Sequence, residues 1–234
     1  MTGLGSATPS ASGFVTALFP AYRCRVQQIA DSFAWPLRRP LSRWLGGIVC
    51  VVLLPLLFIP LLGYAVAATR AAEQDRSQGP PPWTLSLGLL SDGFWTALAV
   101  IVTLLPFALL LNPLAGALRA PAGNELTAHV AAFFLLALPW GLLALLVLPH
   151  ATAAFAARGR PGDLFNFVAS LRKVGDDFAT WNVAVGAIVT AWAIGLACVG
   201  VLCVGIVPGI FYAILVSAHA AAALEGPRPR LPAG

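Results

Sequence analysis

Residues Gly93–Leu118 read GFWTALAVIVTLLPFALLLNPLAGAL, with no Asp, Glu, Lys or Arg in the run. A helix needs roughly 20 apolar residues to cross the hydrocarbon of a bilayer. This run is long enough for one crossing. It lacks the strict alternation of a barrel strand, so helix is the form it takes. Three other runs are also free of charge: Trp44–Thr69, Leu126–Ala157 and Phe178–Leu224. The last is long enough for two crossings and a turn. Of the 234 residues, 59% are hydrophobic and 10% charged, and mean hydropathy is +0.85. Soluble domains carry about 25% charged residues. So apolar a chain uses lipid as its solvent. The expected fold is all-α: a polytopic transmembrane helical bundle with kinked or re-entrant helices and interfacial amphipathic helices.

The flanks divide the chain. Residues 1–20, of which Met1–Gly13 are small and polar, read as a disordered tail, and 225–234 as a C-terminal tail. Residues 21–43 read as an interfacial segment, with a helix over Ala21–Trp35. Its apolar stripe is Val26, Ile29, Ala30, Phe33 and Leu37. Trp35, Arg38, Arg39, Arg43 and Trp44 mark an aromatic and basic boundary. The membrane domain is then 44–224. Pro55 and Pro60 predict a kink or break in its first block. Pro80, Pro81 and Pro82 stop any helix, and Trp83, Leu87, Leu90 and Phe94 read as one helical face leading into the second block. That block ends near Asn112-Pro113, and Pro139 and Pro149 kink the third. Leu164, Val168, Leu171 and Phe178 form the stripe of another amphipathic segment, and the last block splits near 205–209.

Positive charge decides the topology. Suppose the first block crosses once and the last forms a two-span hairpin. More Lys and Arg then lie outside than inside. If the first block instead doubles back at Pro55–Pro60, all but Arg119 of the 14 Lys and Arg share one side. The positive-inside rule selects this second arrangement. Block 44–69 is too short for two full crossings, so a short re-entrant hairpin is predicted. Both termini are then cytoplasmic, in a bacterial inner membrane. The net charge of +5 sits at segment flanks, which argues against a nucleic-acid partner.

Two internal similarities stand out. Ser86–Thr96 aligns without gaps to Ser170–Thr180, and Ile59–Val66 echoes Val207–Ile214. Two related units would explain both, as in transporters built from parallel repeats.

Several motifs together resemble a known family. They are Trp44-Leu45-Gly46-Gly47, Gly63-Tyr64 with Arg70 following, the prolines before Trp83, Asp92-Gly93, Pro149 with Phe155 and Gly159, and the Asp163–Phe178 segment. On these residues the chain is similar to the polytopic membrane family called domain of unknown function 4013, over about Arg43 to Leu224. Phe155 stands where that pattern more usually has Tyr. The resemblance implies the helical membrane architecture and no activity.

No phosphate loop, nucleophile elbow or metal-ligand cluster is visible, and Cys24, Cys50, Cys198 and Cys203 form no CxxC pair. No catalytic, cofactor-binding or metal residue is expected. The polar candidates are Asp92, Asp176 and Asp177, where interfacial segments enter spanning helices, and His150 and His219, near block ends. The aspartates read either as helix caps or as a cation or headgroup site joining the two repeat units. His129, Asn112 and Asn182 read as interfacial or helix-end residues, and Gly186, Gly195, Gly200 and Gly205 as close-packing positions. The expectation is a non-enzymatic scaffold or accessory subunit of a membrane assembly. Its partners would be the lipid bilayer and other membrane-protein subunits or further copies of itself. The alternative is a small transporter or channel component. A polar cavity lined by His150, His219 or Asn182 would favour the alternative. A dry bundle with an apolar exposed flank would favour the scaffold.

Overall fold

A computed structural model describes residues 26–40, 44–198 and 206–225. The tails at 1–20 and 226–234 and the start of the Ala21–Trp35 helix lie outside them. The described residues form an all-helical bundle with no strand. Its helices are α1 (Leu45–Val52), α2 (Leu54–Gln74), α3 (Leu87–Ala122), α4 (Glu125–Arg158), α5 (Phe167–Asp176), α6 (Phe178–Ala197) and α7 (Ile206–Ala222). Short 3-10 helices cover Asp31–Phe33, Trp35–Arg38 and Pro161–Phe165.

The first apolar block doubles back. The helical path breaks at Leu53 (φ −94, ψ 30), and Leu57 inside α2 is also non-helical (φ −111, ψ 19). Pro55 stands in the first turn of α2 and Pro60 inside it, and neither has an N–H to carry one continuous helical ladder through the block. α1 then returns along α2. A Cβ on Gly47 would fall 2.1 Å from the Phe211 ring, and Tyr64, on α2, stacks on the same ring at 5.9 Å. Trp83 covers Gly46 and lies parallel to Tyr64, with ring centroids 4.3 Å apart. The chain entering α1 and the chain leaving α2 therefore meet. Trp35 Nε1 donates to the Gln78 carbonyl (2.7 Å) and Arg38 to the Arg76 carbonyl (2.6 Å). Trp83 thus sits in the connecting segment, not on the α3 face expected for it.

α3 starts at Ser86, whose hydroxyl accepts from Leu89 N (3.1 Å). It does not stop at Asn112-Pro113 but runs through Pro106 and Pro113 to Ala122. In apolar surroundings, ending a helix exposes several polar backbone groups, whereas a proline removes one bond. Trp140 Nε1 donates to the Thr103 carbonyl (2.7 Å), next to the Val102 carbonyl that Pro106 cannot serve. Gly123 (φ +77) and Asn124, which caps α4 through Thr127 N (2.8 Å), make the whole turn. At about 1.5 Å per residue, α3 and α4 exceed the roughly 30 Å of bilayer hydrocarbon. Three helices, α3, α4 and α6, are long and apolar enough to cross a membrane.

α7 fills the centre. Phe211, Ala213, Leu215, Val216, Ala220 and Ala222 are all buried against α1, α2, α6 and the N-terminal 3-10 helices. Its described residues are helical from Ile206, so Pro208 and Gly209 lie within the helix. The part of the expected split at 205 lies outside the described residues. Gly195 and Gly209 bring these helices together, since a Cβ on either would fall 2.7 Å from the other's carbonyl oxygen.

The two amphipathic segments pack differently from expectation. In the first, Ile29, Ser32, Trp35 and Pro36 face inward, while Ala30 and Leu37 are exposed. The change from α to 3-10 winding after residue 30 shifts the phase of the stripe. In the second, Leu164 is fully buried, but Val168, Leu171 and Phe178 point outward. Ser170 and Val174 form the inner face of α5 instead.

Candidate functional site

Polar chemistry gathers at one end of the bundle. Arg70 on α2 donates both Nη groups to Asp92 Oδ2 on α3 (3.2 Å) and its Nε to the Ala156 carbonyl on α4 (3.1 Å). Arg158, at the end of α4, pairs with Asp163 (2.8 Å) and Glu225 (3.6 Å). Glu225, just past α7, also holds Lys173 of α5. Burial pulls Arg76 below its usual pKa, and the Glu73 carboxylate opposes that shift. Arg119 is at the far tip, paired with Glu125 (2.9 Å).

His150 is 3% exposed, and neither ring nitrogen has a hydrogen-bond partner among the described residues. It lines a 40 Å³ pocket with Arg158, Asp163, Asn166, Ser170 and Lys173. His219 is elsewhere. Its Nδ1 meets the Ser32 hydroxyl at 2.8 Å, and its ring lies 5.0 Å from Trp35. Both partners are buried, so the pair ties the N-terminal segment to α7.

The aspartates do not converge. Asp92 lies inside α3 in the Arg70 ion pair. Asp176 is the exposed last residue of α5. Asp177 alone is a cap, accepting from Thr180 N (3.2 Å) at the start of α6. The gapless alignment of Ser86–Thr96 with Ser170–Thr180 thus pairs one continuous helix with a segment broken at Asp177. The Pro60–Tyr64 and Pro208–Tyr212 match fares better. It falls on two packed helices, and each tyrosine hydroxyl donates to a carbonyl outside its own helix: Pro81 for Tyr64 and Phe33 for Tyr212, both at 2.9 Å. Asn112 and Asn182 stand exposed within helices rather than at their ends.

A second feature is a 290 Å³ cavity between α2, α3, α4, α6 and α7. Leu62, Val66, Val100, Leu145, Leu148 and Ile188 supply much of its wall. Its four hydroxyls are Thr69, Thr96, Thr152 and Ser217. Each donates to the carbonyl four residues back in its own helix, at 2.7–2.9 Å. None of His150, His219 or Asn182 lines it.

Arg70 entered the sequence reading as part of the family motif, and Arg158, Lys173 and Glu225 only through charge and segment boundaries. Their spacings of tens of residues carry no local signal that they meet. No group of three or more His, Cys, Asp or Glu that could hold a metal occurs among the described residues.

The architecture is thus that of an all-helical bundle with three helices apolar enough to span a membrane and its ion pairs concentrated at one end. The chain belongs to the family described as protein of unknown function DUF4013, whose model matches residues 47–205. The match ends before α7, the most buried helix of the bundle. Among curated proteins and solved structures nothing matches the chain.

Proposed function

We propose that this is a multi-pass inner-membrane protein acting as a non-enzymatic scaffold or accessory subunit. The observation that carries the reading is the α3–α4 hairpin. Only 17% and 11% of the apolar stretches of α3 and α4 are buried, against 44% for α6. Leu109, Leu126, Phe134 and Leu138 are each 65% exposed or more. In lipid such a surface needs no partner, and what supports a subunit role is that two long helices with so little burial leave a broad face on which a second membrane subunit can pack. The charged end faces the cytoplasm, since the paired and clustered Lys and Arg residues lie there and Arg119 alone occupies the tip.

The transporter alternative is weaker. A permeation path needs enough polar groups to replace hydration, and this cavity offers four hydroxyls whose protons are all committed to their own helices. Photocrosslinking tests the proposal. A benzophenone amino acid at Leu109 or Phe134 should capture one defined membrane protein or a second copy of this chain, while one at Leu171 on α5 should not. Crosslinks to lipid alone from both arm positions would overturn the subunit reading.

A further inference from the structure

We infer that the 290 Å³ cavity is a binding site for one acyl chain of a membrane phospholipid, with the phosphate at the Arg70–Asp92 joint. The inference rests on the reading of the chain as membrane-embedded. The chemistry of the wall favours an apolar ligand. Apart from Trp192 and four hydroxyls its side chains are aliphatic, and each hydroxyl donates its proton within its own helix. Water finds few partners there, because it can only donate to these hydroxyl oxygens and a bound water needs two to four polar groups. A flexible hydrocarbon is the ligand that such a wall recognises.

The packing gives it an entrance. α3 and α4 pack on each other, as do α6 and α7. Between these two pairs, the substantial packing is that of α4 on α7. The cavity occupies the remaining gap. Trp192, on α6, lines it and is also 37% exposed, so the space reaches the apolar outer surface there. Residues for a headgroup follow one helical turn away. Thr96 donates to the Asp92 carbonyl, and Ala156 is four residues beyond Thr152. Arg70, whose side chain is 35% exposed, bridges Asp92 and the Ala156 carbonyl at that level. Those contacts use three of the five N–H donors of Arg70, and the remaining two can donate to a phosphodiester oxygen against the repulsion of the Asp92 carboxylate. Chain and headgroup thus meet the apolar and charged parts of one site in the order that a phospholipid presents them.

The test uses the full chain purified in mild detergent. Resistance to alkaline carbonate extraction checks the membrane reading separately. Native mass spectrometry after detergent exchange should show a retained phospholipid. Ala65→Phe and Ser217→Leu fill the cavity and should lower retention by about tenfold or more. Arg70→Gln should lower it too and reduce headgroup selectivity. Phospholipid carrying a diazirine in its acyl chain should label the unsubstituted protein in peptides spanning 62–69 and 144–152. No retained lipid, retention unchanged in the filled variants, or labelling confined to residues 104–138 at the outer part of the α3–α4 hairpin would each overturn the site. If a filled variant fails to fold, the labelling of the unsubstituted protein decides.

Discussion

The crossing of α2 and α3 makes a quantitative prediction about two glycines. A Cβ on Gly63 would lie 2.0 Å from the Leu89 carbonyl oxygen, and one on Gly93 would lie 2.0 Å from the Ile59 carbonyl oxygen. A carbon–oxygen contact relaxes only at about 3.2 Å or more, so the helices must part by about 1 Å. The obstacle is helix backbone, which cannot swing aside as a side chain can. Overpacking costs about 1–3 kcal/mol and here sits at the upper end. Replacing a helical glycine by alanine returns about 0.5–1 kcal/mol of backbone entropy. Gly63→Ala and Gly93→Ala should therefore each destabilise by about 2 kcal/mol. For a chain of this size that corresponds to a melting temperature lower by about 4–8 °C. Gly116, Gly141 and Gly186 have nothing within 4 Å of a built Cβ. Alanine at those positions should be neutral or stabilising by up to about 1 kcal/mol. The assay is intrinsic-fluorescence melting in mild detergent at one fixed scan rate, because such unfolding is commonly irreversible. Equal shifts for Gly63→Ala and Gly186→Ala would refute the close crossing.

Three further outcomes follow from the packing. Cysteines placed at Ser77 and Gly123 should react with an impermeant maleimide from opposite sides of the membrane, because one is at the charged end and the other at the far tip; same-side labelling would sink the topology. Ser32→Ala leaves buried His219 Nδ1 without its 2.8 Å partner, at a cost of about 1–3 kcal/mol, and limited proteolysis should then cut faster at Arg38. Glu225→Gln removes the carboxylate shared by Lys173 and Arg158. Both cations are more than a third exposed, so solvent screening keeps the cost below about 1 kcal/mol. Its signature should be faster hydrogen exchange confined to α5, with an unchanged melting point.

Charge-free runs of the required length determined the helices and their spanning character, because in lipid every backbone group must be satisfied within its own segment. The scatter of Lys and Arg determined that the first block doubles back, and the Trp35–Gln78 and Arg38–Arg76 contacts bring its two ends together. Those are properties of composition along the chain, readable one residue at a time. Which polar residues meet is not. Arg70 and Asp92 are 22 residues apart, and Lys173 and Glu225 are 52 apart. Only the crossing of three or four helices joins them. The glycines make the same point. Gly186 and Gly195 both looked like close-packing positions in the sequence; Gly195 faces Gly209 across a helix crossing and Gly186 faces open space. The sequence by itself determined an apolar helical bundle with its positive charge at one end. The tertiary structure decided where helices touch, where they leave a cavity, and that the hydroxyls lining it turn back to their own backbone.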